Sequence, residues 1–265
     1  MPADLLGALM AGAIEDAAAR QERAPLRELE SRALDADPAR DAIAALAPRD
    51  QVHVIAEIKR ASPSRGDLAR IPDPAVLARA YAEGGASVIS VLTEGRRFGG
   101  SLDDLRAVRD AVELPLLRKD FVGNEYQILE ARAAGADLVL LIVSALDQRT
   151  LARLHEFVTE LGMTPLVEAH DADELGRAAD VGARLVGVNA RDLRTFDLDP
   201  ALFGRLADAF PPDAIRVAES AVKSAEDVTR YRADGADAVL IGEALVTAFQ
   251  SDGDPAAAIR AFVEA

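Results

Sequence analysis

The chain has 265 residues, half of them apolar, with a formal charge of −15 and an isoelectric point near 4.7. That charge argues against nucleic acid as a partner, because phosphate-backbone binding rests on an excess of Lys and Arg. With no Cys, disulfides and thiolate chemistry are excluded, and the three His residues (His53, His155, His170) do not cluster, which argues against a His-rich metal site.

Aromatics are 4% of the chain and Trp is absent, so the core must be aliphatic and Ala-rich. No basic-then-apolar opening is present and no apolar run approaches 18 residues. These features predict a cytoplasmic protein with no membrane partner.

The pattern opens on residues 3–35, where Leu5, Leu6, Leu9, Met10, Ile14 and Ala17 recur at helical spacing. Residues 28–49 are Ala-rich and polar without a strong period. Residues 1–49 together read as a helical extension, packed over one end of the single domain that the chain 1–265 is expected to form.

From Val52 onward the pattern is regular. Strands are predicted at 52–59, 87–93, 115–119, 137–143, 164–169, 185–190, 215–219 and 238–242. Helices are predicted at 73–84, 101–112, 125–134, 147–161, 171–181, 200–209, 224–234, 243–249 and 254–264. Ser101 and Ser224 stand where N-caps belong. Gly85, Gly135, Gly182 and Gly235, each followed by Ala, end helices and open strands at spacings of 50, 47 and 53 residues. Eight strand–helix units predict a closed (β/α)8 TIM barrel, with the N-terminal helices as an addition. The competitor, an open doubly wound sheet, would carry a Gly-rich loop after its first strand, and this chain has Ser62-Pro63-Ser64-Arg65-Gly66 there.

In such barrels the site lies at the C-terminal ends of the strands. Strand one ends in Glu57 and Lys59, two residues apart and so on one face. Strand three ends in Lys119, strand five in Glu168, strand six in Asn189 and Arg191, and strand seven in Glu219 and Ser220. Alternation turns Glu57, Glu168 and Asn189 into the barrel. If Lys119 also points in, Arg118 faces the helices. Any one of these charges could be a structural ion pair, but several acids and bases converging on one rim point to a ligand. The segments Glu219-Ser220-Ala221 and Gly242-Glu243 lie after strands seven and eight, where phosphate often binds. A plain helix entry explains them equally well.

The stretch AEIKRASPSRGDL (56–68) resembles the signature of the indole-3-glycerol phosphate synthase family. The likeness continues through SVLTEGRRFGGSLDDL (90–105), LLRKDF (116–121), LVEAH (166–170), GVNARDL (187–193), AESAV (218–222) and VLIGEALV (239–246). It covers essentially the whole chain.

The resemblance implies a carbon–carbon lyase of tryptophan biosynthesis. Its substrate would be the small phosphorylated molecule 1-(2-carboxyphenylamino)-1-deoxyribulose 5-phosphate, closed to an indole ring with loss of carbon dioxide and water. No metal or cofactor is implied, and a monomer is expected. The resemblance further implies that Lys119 is the general acid, Glu168 acts in dehydration, and Glu57 stabilises positive charge and shuttles protons. Lys59 would pair with Glu57 and hold a substrate anion, and Asn189 would orient the substrate. Arg191 would contact the anthranilate carboxylate, with Glu219 setting its position. Ser62, Ser220, Ala221, Gly242 and Glu243 would hold the phosphate. Phe98, Phe121 and Leu140 would wall the ring, and Pro63 would shape the first loop. The family commonly has Gly where this chain has Ala221, which puts phosphate affinity in question if that position needs a positive φ. The alternatives are a neighbouring phosphate-binding isomerase, and a non-catalytic barrel that would have lost Glu57, Lys119 or Glu168.

Overall fold

The computed structural model describes residues 5–62, 66–68, 70–192, 195, 197–250 and 253–265. Eight parallel strands close into a barrel. They are β1 (His53–Ile58), β2 (Val88–Leu92), β3 (Leu116–Lys119), β4 (Leu138–Ile142), β5 (Thr164–Ala169), β6 (Leu185–Asn189), β7 (Ile215–Glu219) and β8 (Ala238–Ile241). Each pairs with its sequence neighbours, and β1 closes the ring against β8. The strands read as near-continuous apolar runs such as VISVL and LVLLI because both faces are covered, by the barrel interior and by the helix layer.

The predicted helices appear as α4 (Pro74–Glu83), α5 (Leu102–Arg109), α6 (Glu125–Ala133), α7 (Gln148–Glu160), α8 (Ala172–Asp180), α10 (Ala225–Ala233), α11 (Glu243–Gln250) and α12 (Pro255–Val263). Their starts are set by side-chain caps: Asp73, Ser101, Asn124, Asp147, Asp171 and Asp254 each accept a backbone N–H of the first turn. Their ends include the four predicted glycines, all at positive φ between 71° and 96°. Helix α12 seals the seam between the first and last units. Its Ala256 and Ile259 press so closely on Gly84 at the end of α4 that a Cβ there would lie 2.6 Å from Ile259.

Three expectations need correction. The segment 3–35 is two helices, α1 (Leu5–Gln21) and α2 (Leu26–Leu34), because Pro25 caps a new helix rather than continuing the old one. A short helix, α3 (Ala42–Ala45), forms where no period was legible, nucleated by the Asp41 carboxylate on Ala44 N–H. The span 200–209 is only α9 (Leu202–Leu206) followed by a 3-10 turn.

The extension runs the height of the barrel. At the bottom, the His53 ring joins Ser87 Oγ at 2.7 Å and the Ala47 carbonyl at 2.9 Å, tying the segment after α3 under β1. At the side, Ala17, Leu29 and Ala33 pack on Tyr126 and Leu129 of α6. At the top, Arg96 of the loop after β2 pairs with Glu15 and Asp16, and Gly123 after β3 abuts Ile14 and Met10, so α1 lies along the rim.

Candidate active site

Register explains how the charged ends converge. Glu57 pairs with Ser90, Leu92 with Lys119, Ile142 with Glu168, Glu168 with Gly187, and Asn189 with Glu219. The strands therefore finish at one level, and the polar residue of each faces the mouth. Together they line a cavity of about 610 Å³.

Lys119 is its centre. Its Nζ donates to Glu219 Oε2 at 3.0 Å and Glu168 Oε2 at 3.2 Å, and both carboxylates are 1% exposed. Lys59 Nζ lies 3.7 Å from Glu57 Oε1, as the i, i+2 spacing predicted, and 5.9 Å from the Phe98 ring centroid.

Two glycines make room for the acids. A Cβ on Gly187 would lie 2.1 Å from Glu219 Oε1, and a Cβ on Gly242 would lie 2.4 Å from Glu57 Oε1. Gly242 was expected to open the backbone to a ligand, and what it demonstrably admits is the Glu57 carboxylate. Likewise Glu219, expected beside Arg191, is a direct partner of Lys119.

The electrostatics follow from three carboxylates around one ammonium. Burial opposes the charge on Lys119, but Glu219, Glu168 and Glu57 outweigh it and raise its pKa, so the ammonium is firmly protonated. Burial, with the charge of Glu168 added, pushes Glu219 up to about 8 despite Lys119. Burial also opposes the charge of Glu168, but Lys119 and His170 together hold it below the usual carboxylate range. Near neutral pH the cluster is Lys119 charged, Glu168 charged and Glu219 carrying a proton. Among the described residues, Glu168 Oε1 and Glu219 Oε1 are buried with no hydrogen-bond partner; the proton of Glu219 belongs on Oε1, because Oε2 accepts from Lys119.

Asn189 Oδ1 accepts from Ser220 Oγ at 2.8 Å and Arg191 N–H at 3.0 Å, which links β6 to the loop after β7. That loop is strained. Ser220 and Ala221 both have positive φ, 68° and 58°, and among the described residues no other non-glycine does. Position 221 is therefore one where Gly is at ease and Ala is not. Consecutive residues in such conformations can turn successive N–H groups to one side, a concavity suited to an anion. The N-terminus of α11, opening at Glu243, and Lys223 line the same part of the cavity.

Opposite lies the apolar wall. Phe98 and Phe121 have ring centroids 6.0 Å apart, and Leu140 completes the surface. Ser62 lines the cavity from a minimal antiparallel pair, Ala61–Ser62 with Gly66–Asp67, where only loop was expected. Pro63 lies outside the described residues. Every other predicted site residue lines this one cavity.

Sequence reading missed supporting residues. Buried Glu94 accepts the N–H groups of Arg96, Arg97 and Phe98 and so fixes the loop that presents Phe98. Arg118, turned to the helix layer as alternation required, binds Asp120, Glu130 and the Gln127 carbonyl. His170 lies 3.5 Å from Glu168. A buried acid after a strand and a charge at an outward position were the signals available.

A family model described as indole-3-glycerol phosphate synthase matches residues 6–262. The chain is 66% identical over 262 residues to the indole-3-glycerol phosphate synthase of Leifsonia xyli, covering 99% of each chain. It is 56% identical to that of a Nocardioides species over 256 residues, 97% of this chain and 96% of that one. It is 53% identical to that of Mycobacterium ulcerans over 264 residues, covering 100% of this chain and 95% of that one. Among solved structures, a thiamine phosphate pyrophosphorylase from Pyrococcus furiosus superposes with a TM-score of 0.58 at 13% identity, over 80% of this chain and 94% of that one. That likeness concerns the fold alone. Among the described residues no helix is long and apolar enough to cross a membrane, and no group of His, Asp and Glu is arranged to hold a metal ion.

Proposed function

The chain belongs to the indole-3-glycerol phosphate synthase family, and from that premise we propose how its own residues carry the reaction. The enzyme is a carboxy-lyase. It closes 1-(2-carboxyphenylamino)-1-deoxyribulose 5-phosphate to indole-3-glycerol phosphate, with loss of carbon dioxide and water.

The ribulose carbonyl is placed at Lys119 Nζ, which protonates the oxygen as the ring carbon attacks. An acid must hold its proton at rest, and the surrounding carboxylates ensure that. The protonated Glu219 weakens their grip, so the proton is deliverable. Glu57 faces the positive charge that develops on the anilino nitrogen. Glu168, held ionised, is the base of the dehydration.

Binding groups are divided between the two ends of the cavity. Lys59 and Arg191 serve the anthranilate carboxylate and neighbouring anions, with the ring against Phe98, Phe121 and Leu140. Asn189 orients the leaving hydroxyl. The phosphate is assigned to Ser62, the Ser220-Ala221 backbone and the segment Gly242-Glu243.

The observation that carries this reading is Lys119 Nζ bridging Glu168 and Glu219 at the centre of a cavity with aromatic and anion-binding ends. The purified chain incubated with this substrate should develop indole absorbance and fluorescence. Conversion of phosphoribosyl-anthranilate instead would favour the isomerase reading.

A further inference from the structure

The reaction assigned to this site takes up a proton. The substrate carboxylate departs as carbon dioxide and a carbonyl oxygen departs as water. The oxygen therefore receives two protons, while the substrate returns one to a base. Each turnover leaves the enzyme one proton short, and solvent must supply it. Lys119, Glu168 and Glu219 line the cavity that a bound substrate would fill and cover.

A second connection leads out through the start of α8. His170 follows β5 directly, and α8 begins at Ala172. Glu174 on the first turn of α8 receives two donors on Oε2, the His170 backbone N–H at 2.7 Å and the ring Nδ1 at 3.1 Å. With Nδ1–H committed to Glu174, the other ring nitrogen points inward. His170 Nε2 stands 3.5 Å from Glu168 Oε1, and each is buried with no hydrogen-bond partner among the described residues. Two bare lone pairs facing each other there would be unfavourable, so the arrangement favours a proton between them, on the ring or on the carboxyl. The outer members reach water, since the side chains of His170 and Glu174 are 15% and 13% exposed against 1% for Glu168.

We propose that Glu174 and His170 form a proton inlet, separate from the substrate's entrance, through which solvent restores the proton consumed at Glu168 and Lys119. This rests on the reaction assigned above. The transfer is balanced: the imidazolium gives its Nε2 proton to Glu168 and Glu168 passes one to Lys119; the neutral ring, left with Nδ1–H, then swings outward, takes a proton at Nε2 from water beside Glu174, and returns. His170 is a positioning and relay residue and does not touch the substrate.

The groups facing the ring agree. Burial would lower the pKa of His170, but the hydrogen bond to Glu174 and the charges of Glu168, Glu174 and Glu219 raise it above its ordinary 6.5. Asp171 is turned away to cap α8, and Arg177 is held by Gln148 and the carbonyls of Val143 and Leu146.

His170→Asn and Glu174→Gln test the proposal. For both, the loss of kcat should deepen with pH, from about threefold at pH 6.5 to about tenfold or more at pH 8.5, where solvent protons are scarce, with KM within about twofold. Added imidazole should restore part of the rate of His170→Asn. A kcat profile parallel to wild type, or a loss equal at every pH, would overturn the relay. NMR titration of the three His rings gives a readout that needs no substrate, so it separates this proposal from the reaction it rests on. His170 should titrate above 6.5 and move down in Glu174→Gln, and titration at or below 6.5 without movement would refute the shared proton.

Discussion

Lys119 and Ala221 show two ways a single residue can be forced by its surroundings. Lys119 is buried and would be costly alone; the acids around it, Glu168 and Glu57 with Glu219, hold it charged. Ala221 sits at φ 58° without the freedom of Gly. Ala221→Gly should raise stability by up to about 1 kcal/mol, read from urea denaturation, since an L-residue in the left-handed region costs about that much. A fall in stability would mean that the left-handed conformation carries no strain here. Sequence alone named the residue and the question, because strain depends on φ. It could not supply the sign of φ, which the Asn189–Ser220 bond and the Tyr231 hydroxyl on the Ser220 carbonyl help to fix.

Strands and helices impose their own constraints on the site. Strand β6 carries Gly187 because β7 projects Glu219 across it. Gly187→Ala should displace Glu219 from Lys119 and lower kcat by about tenfold or more with the fold retained, a positioned proton-transfer group being worth ~10² to 10⁴. Circular dichroism alongside the kinetics checks both halves; unchanged kcat would show that Glu219 is not required at Lys119.

Behind β3, Arg118 neutralises Asp120 and Glu130 between the barrel and α6. Arg118→Leu should cost about 3–5 kcal/mol in chemical denaturation, because both acids stay buried without it. A cost below about 1 kcal/mol would mean that Arg20, already on Glu130, suffices. The strands and most helices were legible because their periodicity, caps and C-terminal glycines are local. The break at Pro25 and the shortened α9 were less so, since a mostly helical pattern continues through both regions. The partners of Arg118 and Glu94 were not legible at all, because they are set by packing between elements distant in sequence.

The whole molecule carries the acid cluster into its pH dependence. Glu219 has a folded pKa raised to about 8, so its contribution to stability is full below the ordinary carboxylate value of 4.5 and is lost as pH rises to about 8. His170, raised above 6.5, has the same sign in the upper part of that window. Glu168, lowered, has the opposite sign and acts only below 4.5. Stability should therefore decline from pH 5 to 8, by at most about 1.4 kcal/mol per pH unit from Glu219, and the decline should flatten in Glu219→Gln. Thermal unfolding across that range reads it, and identical slopes in both proteins would place the proton elsewhere.

The central claim concerns Lys119 as the acid that starts ring closure. Comparing kcat and substrate affinity of wild type and Lys119→Ala, by indole fluorescence and direct binding of the substrate, tests it most directly. The account predicts a kcat lower by ~10² to 10⁴ with affinity within about tenfold, since a positioned acid acts on the transition state more than on binding. Turnover at the wild-type rate in Lys119→Ala would contradict it.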